Sequence, residues 1–167
     1  RRPTSGKAHN HFYEGRHLAC LGFGSGKNRT QLYLLGEDGR RGHRHAGALT
    51  TQLYAGGREI FPDLGYICDH PGNKWVKATP SHQTVTIDGG NSYPDGPGQL
   101  LGFVDTGNAR FVDIMVPLKS GCLIRRALTL LQKRDGLPIL LDIFDVDGGT
   151  VHDYNSRVYA PPNTLSL

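Results

Sequence analysis

His43 and His45 stand two residues apart in Gly42-His43-Arg44-His45. In an extended segment that spacing turns both imidazoles to one face and Arg44 to the other. Imidazole is the commonest metal ligand among side chains and the usual general base near neutral pH. Alone, such a triplet is more often surface chemistry than a metal site. Two other positions add to it. Asp63 falls in Phe61-Pro62-Asp63-Leu64-Gly65-Tyr66, where Pro62 stops strand pairing and Gly65 permits a sharp turn. His82 immediately precedes the alternating run Gln83 to Asp88. Two histidines and one carboxylate from three element ends can form a tetrahedral site of the kind zinc takes.

Short extended segments must carry these residues. Val85 and Ile87 share one face of Thr84 to Asp88, which stops at Gly89-Gly90-Asn91. Leu32 and Leu34 alternate in the same way before Gly36. Ala48 to Tyr54 and Arg58 to Phe61 read as a hairpin turned at Gly56-Gly57, which supply positive φ at low steric cost. Further segments run from Leu101 to Val104, Phe111 to Val116, Cys122 to Leu131 and Ile139 to Val146. Leu128, Leu130 and Leu131 would also suit a short helix. Strands this frequent, without helices between them, predict an all-β fold: an antiparallel β-sandwich of many short strands. The hairpin poses a difficulty. Ideal pairing sets Asp63 opposite Thr50, roughly 17 Å of strand away from His45. The three ligands meet only if the chain bends at Pro62 or the register breaks.

The 167 residues suffice for one domain with its own core. We expect a loose end or linker over 1–10, the sandwich over 11–160 and a tail over 161–167. A net charge of +4 favours an acidic partner. No run of about 18 apolar residues is present, so no membrane-spanning helix is expected. Cys20, Cys68 and Cys122 include no C-x-x-C pair, and burial as small apolar residues is their default.

Four blocks together resemble one family. They are Gly42-His43-Arg44-His45-Ala46-Gly47, Gln52-Leu53-Tyr54-Ala55-Gly56-Gly57, Asp63-Leu64-Gly65-Tyr66 and Ser81-His82-Gln83-Thr84-Val85-Thr86-Ile87-Asp88-Gly89. The pattern is similar to that of the heparinase II/III-like polysaccharide lyases, which include heparan sulfate and alginate lyases, over about Gln31 to Gly89. The resemblance implies that the chain is their C-terminal β-sandwich, in a periplasmic or secreted protein. It implies Zn2+ held by His45, Asp63 and His82, with His43 facing the cleft to assist β-elimination of a uronic-acid-containing polymer. An N-terminal α/α-toroid domain is implied as the missing partner, and the isolated chain is expected to be inactive without it. Neither nucleic acid nor a membrane is expected as a partner. Where many family members carry an Asp shortly after the second histidine, this chain has Ala46-Gly47.

Other residues offer less. Trp75, between Lys74 and Lys77, can stack a sugar, and Tyr66 can line the cleft beyond Asp63; packing is the plainer role for each. Gly22 to Asn28 fails the spacing of a phosphate loop. Asp142, Asp145 and Asp147 lack the later Glu of a calcium loop and read as turn residues. His9, His11 and His17 read as terminal surface residues. Two other functions fit the same residues: a non-catalytic carbohydrate-binding sandwich, and a cupin-like iron enzyme with a 2-His-1-carboxylate site.

Overall fold

The chain folds as packed antiparallel sheets in a computed structural model that describes residues 6–36, 45–65 and 67–158. Five strands form a meander in chain order: β1 (His11–Tyr13), β2 (Leu18–Phe23), β3 (Thr30–Leu35), β4 (Thr50–Ala55) and β5 (Arg58–Phe61). A short ribbon pairs β6 (Val85–Ile87) with β11 (His152–Tyr154). The second large sheet runs in the order β10-β9-β8-β7, from β7 (Gln99–Asp105), β8 (Ala109–Pro117), β9 (Leu123–Leu131) and β10 (Ile139–Asp147). The expected all-β architecture is therefore the observed one.

Alternation builds the core. Leu32 and Leu34 of β3 and Leu21 of β2 turn inward to meet Val112 and Ile114 of β8 and Ile124 and Leu128 of β9. The segment read from Cys122 to Leu131 settles as strand over Leu123–Leu131 rather than as helix. Leu128 and Leu130 share the inward face with Ile124, at a period of two, and all three are buried. Arg126 occupies the fourth inward position and is only 5% exposed. Strand β6 departs from simple alternation, because Val85, Thr86 and Ile87 are all buried. Strand β11 pairs along one edge of β6.

Three sequence expectations change. Residues 6–10 are tied to the meander, not loose: the Ala8 amide donates to the Gly24 carbonyl at 2.8 Å and the Gly22 amide to Asn10 Oδ1 at 2.8 Å. Ala48 and Leu49 form a turn ahead of β4, closed by the Thr50 amide donating to the Gly47 carbonyl at 2.9 Å. Leu49 takes a positive φ of 55° there. Cys68 is exposed, whereas Cys20 is buried as expected; Cys122 is intermediate and all three thiols are free. Burial pushes the Cys20 thiol up to about 11.

Candidate metal centre

Three segments meet at one end of the meander. His45 precedes the turn into β4, Asp63 follows β5, and His82 ends the 3-10 turn Thr79–Ser81 ahead of β6. The hairpin reaches this point by breaking register. Gly56 and Gly57 both take positive φ, at 58° and 74°. From that turn Ala55 pairs with Arg58 and Tyr54 with Glu59, but Leu53 pairs with Phe61. Ile60 is thus the extra residue of a bulge, which bends a strand and increases its twist. The pairing ends at Phe61, and Pro62 starts a segment that leaves the ladder. On the other side, the turn at Gly47 to Thr50 brings His45 back instead of extending it along β4. Bulge and turn together remove the separation that ideal pairing would impose.

His45 Nδ1 lies 3.1 Å from His82 Nε2, and Asp63 Oδ2 lies 3.7 Å from the same nitrogen. One potential ligand atom from each residue falls within 4.8 Å of the others. A tetrahedral zinc with ordinary Zn–N bonds holds two nitrogens about 3.3 Å apart, so the donor set fits such an ion. The His82 tautomer favours this. Its Nδ1 lies 2.9 Å from the Ala78 carbonyl, an acceptor only, so Nδ1 carries the proton and Nε2 presents its lone pair to the cluster. Asp63 is held through its other oxygen, Oδ1, which accepts the Gly65 amide at 2.7 Å. Burial pushes the His45 imidazole below its usual value; the Asp63 carboxylate opposes this, and His82 and Lys77 reinforce it. His45 is accordingly neutral, and able to ligate, at physiological pH.

Side chains staple the two histidine segments together. Thr79 Oγ1 donates to the Ala46 carbonyl at 2.6 Å, and Thr84 Oγ1 to the Ala48 carbonyl at 2.5 Å. The Ala46 amide donates to the Lys77 carbonyl at 2.8 Å. Arg126 reaches both segments with one nitrogen: Nη1 donates to the Leu49 carbonyl at 2.7 Å and also to the Gln83 carbonyl. Its Nε and Nη2 grip Asp142 at 2.9 and 2.6 Å. Asp142 therefore serves a buried arginine from within β10, not a turn as the sequence suggested. Gly47 is required by close approach. A Cβ there would lie 2.8 Å from His82 Cδ2. An acid at Gly47 would collide with the His82 ring, and one at Ala46, which is fully buried, would lose its water. Gly47→Ala is expected to lower stability by about 1–3 kcal/mol through overpacking, measured by urea unfolding.

His43 and Tyr66 lie outside the described residues. Trp75, on the short helix α1 (Asn73–Val76), is 48% exposed, with the Arg157 guanidinium 5.1 Å from its ring centre. Arg157 also donates through Nε to the Pro80 carbonyl at 2.8 Å, beside His82. Sequence reasoning passed over Arg126. Its signal was present in Arg125-Arg126 inside an apolar strand, since alternation forces one of two adjacent residues inward.

Residues 30–110 match the family model described as heparinase II/III-like, C-terminal. The matched segment is heparinase II/III-like in sequence, and His45, Asp63 and His82 all fall inside it. Solved structures of polysaccharide lyases share the fold. One heparinase III superposes with a TM-score of 0.74 at 17% identity, over 96% of this chain and 25% of that one. Another gives 0.62 at 20% identity, over 74% and 21%. A mutant of the heparan sulfate lyase HepC from Pedobacter heparinus gives 0.61 at 19% identity, over 69% and 19%. The chain thus spans about a fifth to a quarter of the length of these lyases. No curated protein matches it.

Proposed function

We propose that this chain is the zinc-containing C-terminal domain of a lyase that cleaves a uronic-acid-containing polysaccharide by β-elimination. The convergence of His45, Asp63 and His82 within the matched segment carries this reading. In it those three residues hold zinc, and the ion supplies a cross-link that fixes the segment containing His43. The proton removed lies α to a uronate carboxylate, whose negative charge disfavours the carbanion until it is neutralised. His43, two residues before His45, meets the sugar and either accepts that proton or neutralises that charge. Tyr66 and Trp75 contact the polymer. The remaining catalytic groups come from an N-terminal α/α-toroid domain, which accords with the fraction of each matched lyase that the chain covers. The acidic substrate, such as heparan sulfate or alginate, suits the net charge of +4. The protein acts in the periplasm or after secretion.

The test is the full-length protein incubated with uronate polymers while the absorbance of the unsaturated uronyl product is followed. Product formation supports the reading. Silence on heparan sulfate, alginate and related polymers by a folded, zinc-loaded protein favours a non-catalytic carbohydrate-binding domain instead. His43→Ala in that protein is expected to lower turnover by about a hundredfold or more, the usual scale of general acid–base catalysis, with its zinc retained.

A further inference from the structure

Where β5, β10 and β11 come together, the surface opens into a cleft of about 190 Å³. It borders the candidate metal centre along the chain at two points: Phe61 lies two residues before Asp63, and Gln83 directly follows His82. Three aromatic side chains, Phe61, Phe144 and Tyr154, line it. The Tyr154 and Phe144 rings meet edge to face with centroids 5.9 Å apart, and Tyr154 remains 58% exposed. At roughly 30 Å³ per water, the cleft holds about six waters, the bulk of one sugar ring and not of an oligosaccharide.

Its charges select the ring. Among the described residues, Arg126 is the only cation in the lining, and it is engaged by Asp142 and by the Leu49 and Gln83 carbonyls. An anionic group in the cleft would meet the Asp142 carboxylate with no cation of the lining free to receive it. A hydroxyl meets the opposite situation. Each Asp142 oxygen accepts an Arg126 bond and keeps a further lone pair, and that side chain is 34% exposed. Aromatic walls suit the apolar C–H face of a pyranose, and a carboxylate suits its hydroxyls.

We propose that this cleft is a subsite for an uncharged pyranose ring, the neutral unit neighbouring the uronate in a substrate that alternates the two, which excludes an all-uronate polymer such as alginate. The identity of the polymer rests on the function proposed above; the preference for a neutral ring rests on the cleft alone.

The test titrates N-acetylglucosamine and, separately, glucuronate into the chain with chelator present, following backbone amide resonances by NMR. Saturable shifts of Thr84, Tyr154 and Asn155 with N-acetylglucosamine are expected, with glucuronate binding about tenfold more weakly or less. Tyr154→Ala is expected to weaken N-acetylglucosamine binding about tenfold, and Tyr154→Phe to retain it, since the ring supplies the contact. No saturable shift, equal or tighter binding of glucuronate, or unchanged binding by a folded Tyr154→Ala protein would overturn the proposal. Because chelator removes metal from the experiment, its failure is separate from failure of the zinc assignment.

Discussion

Arg126→Met is expected to destabilise the fold by about 3 kcal/mol or more, the largest loss for any single substitution outside the metal ligands. The guanidinium sits at an inward position of β9 and is 5% exposed. Methionine fills much of its volume, so the loss is one of bonds more than of packing. Two backbone carbonyls, Leu49 and Gln83, lose the donor they share, and each buried acceptor left without a partner costs about 1–3 kcal/mol. Asp142 loses its counter-ion as well, though its 34% exposure lets water recover part of that cost. The carbonyls belong to the segments that present His45 and His82, so metal affinity falls along with stability. Lysine restores little, because an ammonium on a flexible stem cannot fork between Asp142 and two carbonyls. Urea unfolding of the metal-free variants isolates the structural part. Asp142→Asn, which keeps a hydrogen-bond acceptor near Arg126, is expected to cost clearly less.

His45→Ala and His82→Ala form the second large effect, and their contrast with His43→Ala separates the roles within the triplet. Each of the first two removes a nitrogen from a three-donor set, and metal affinity falls with it. Where free zinc stands a thousandfold above the dissociation constant, binding adds about 4 kcal/mol to the stability of the folded chain. Both variants forfeit that increment, and chelator then no longer shifts their melting temperature. His82→Ala loses more than His45→Ala even without metal. His82 is only 2% exposed and anchors the 3-10 turn through the Ala78 carbonyl, whereas His45 is partly exposed. His43→Ala is expected to keep the wild type's zinc-dependent rise in melting temperature. Equal loss of that rise in all three variants would show that His43 is also a ligand.

Much of the fold was legible in the sequence because alternation and turn chemistry are local signals. Gly56-Gly57 placed the hairpin, and Leu32 with Leu34 placed a core strand. The first two strands of the meander were passed over, since Leu18 to Phe23 is an almost wholly buried run that lacks a period-two pattern. The three potential ligands were singled out by type and by their places at element ends. How they meet was not legible. It depends on a bulge at Ile60, on a positive φ at Leu49 and on the close approach of the His82 ring to Gly47, none of which has an unambiguous local signature. Arg126 escaped notice for a related reason: an arginine reads as surface until its strand neighbours are known to point inward.

The most direct test of the zinc assignment is the metal content of the chain after incubation with zinc and iron salts and removal of unbound ions. One zinc per chain is expected in the wild type and in His43→Ala, with loss of that zinc in His45→Ala, Asp63→Ala and His82→Ala. Stoichiometric iron in place of zinc, no retained metal at all, or zinc retained when His45, Asp63 and His82 are all replaced would contradict it.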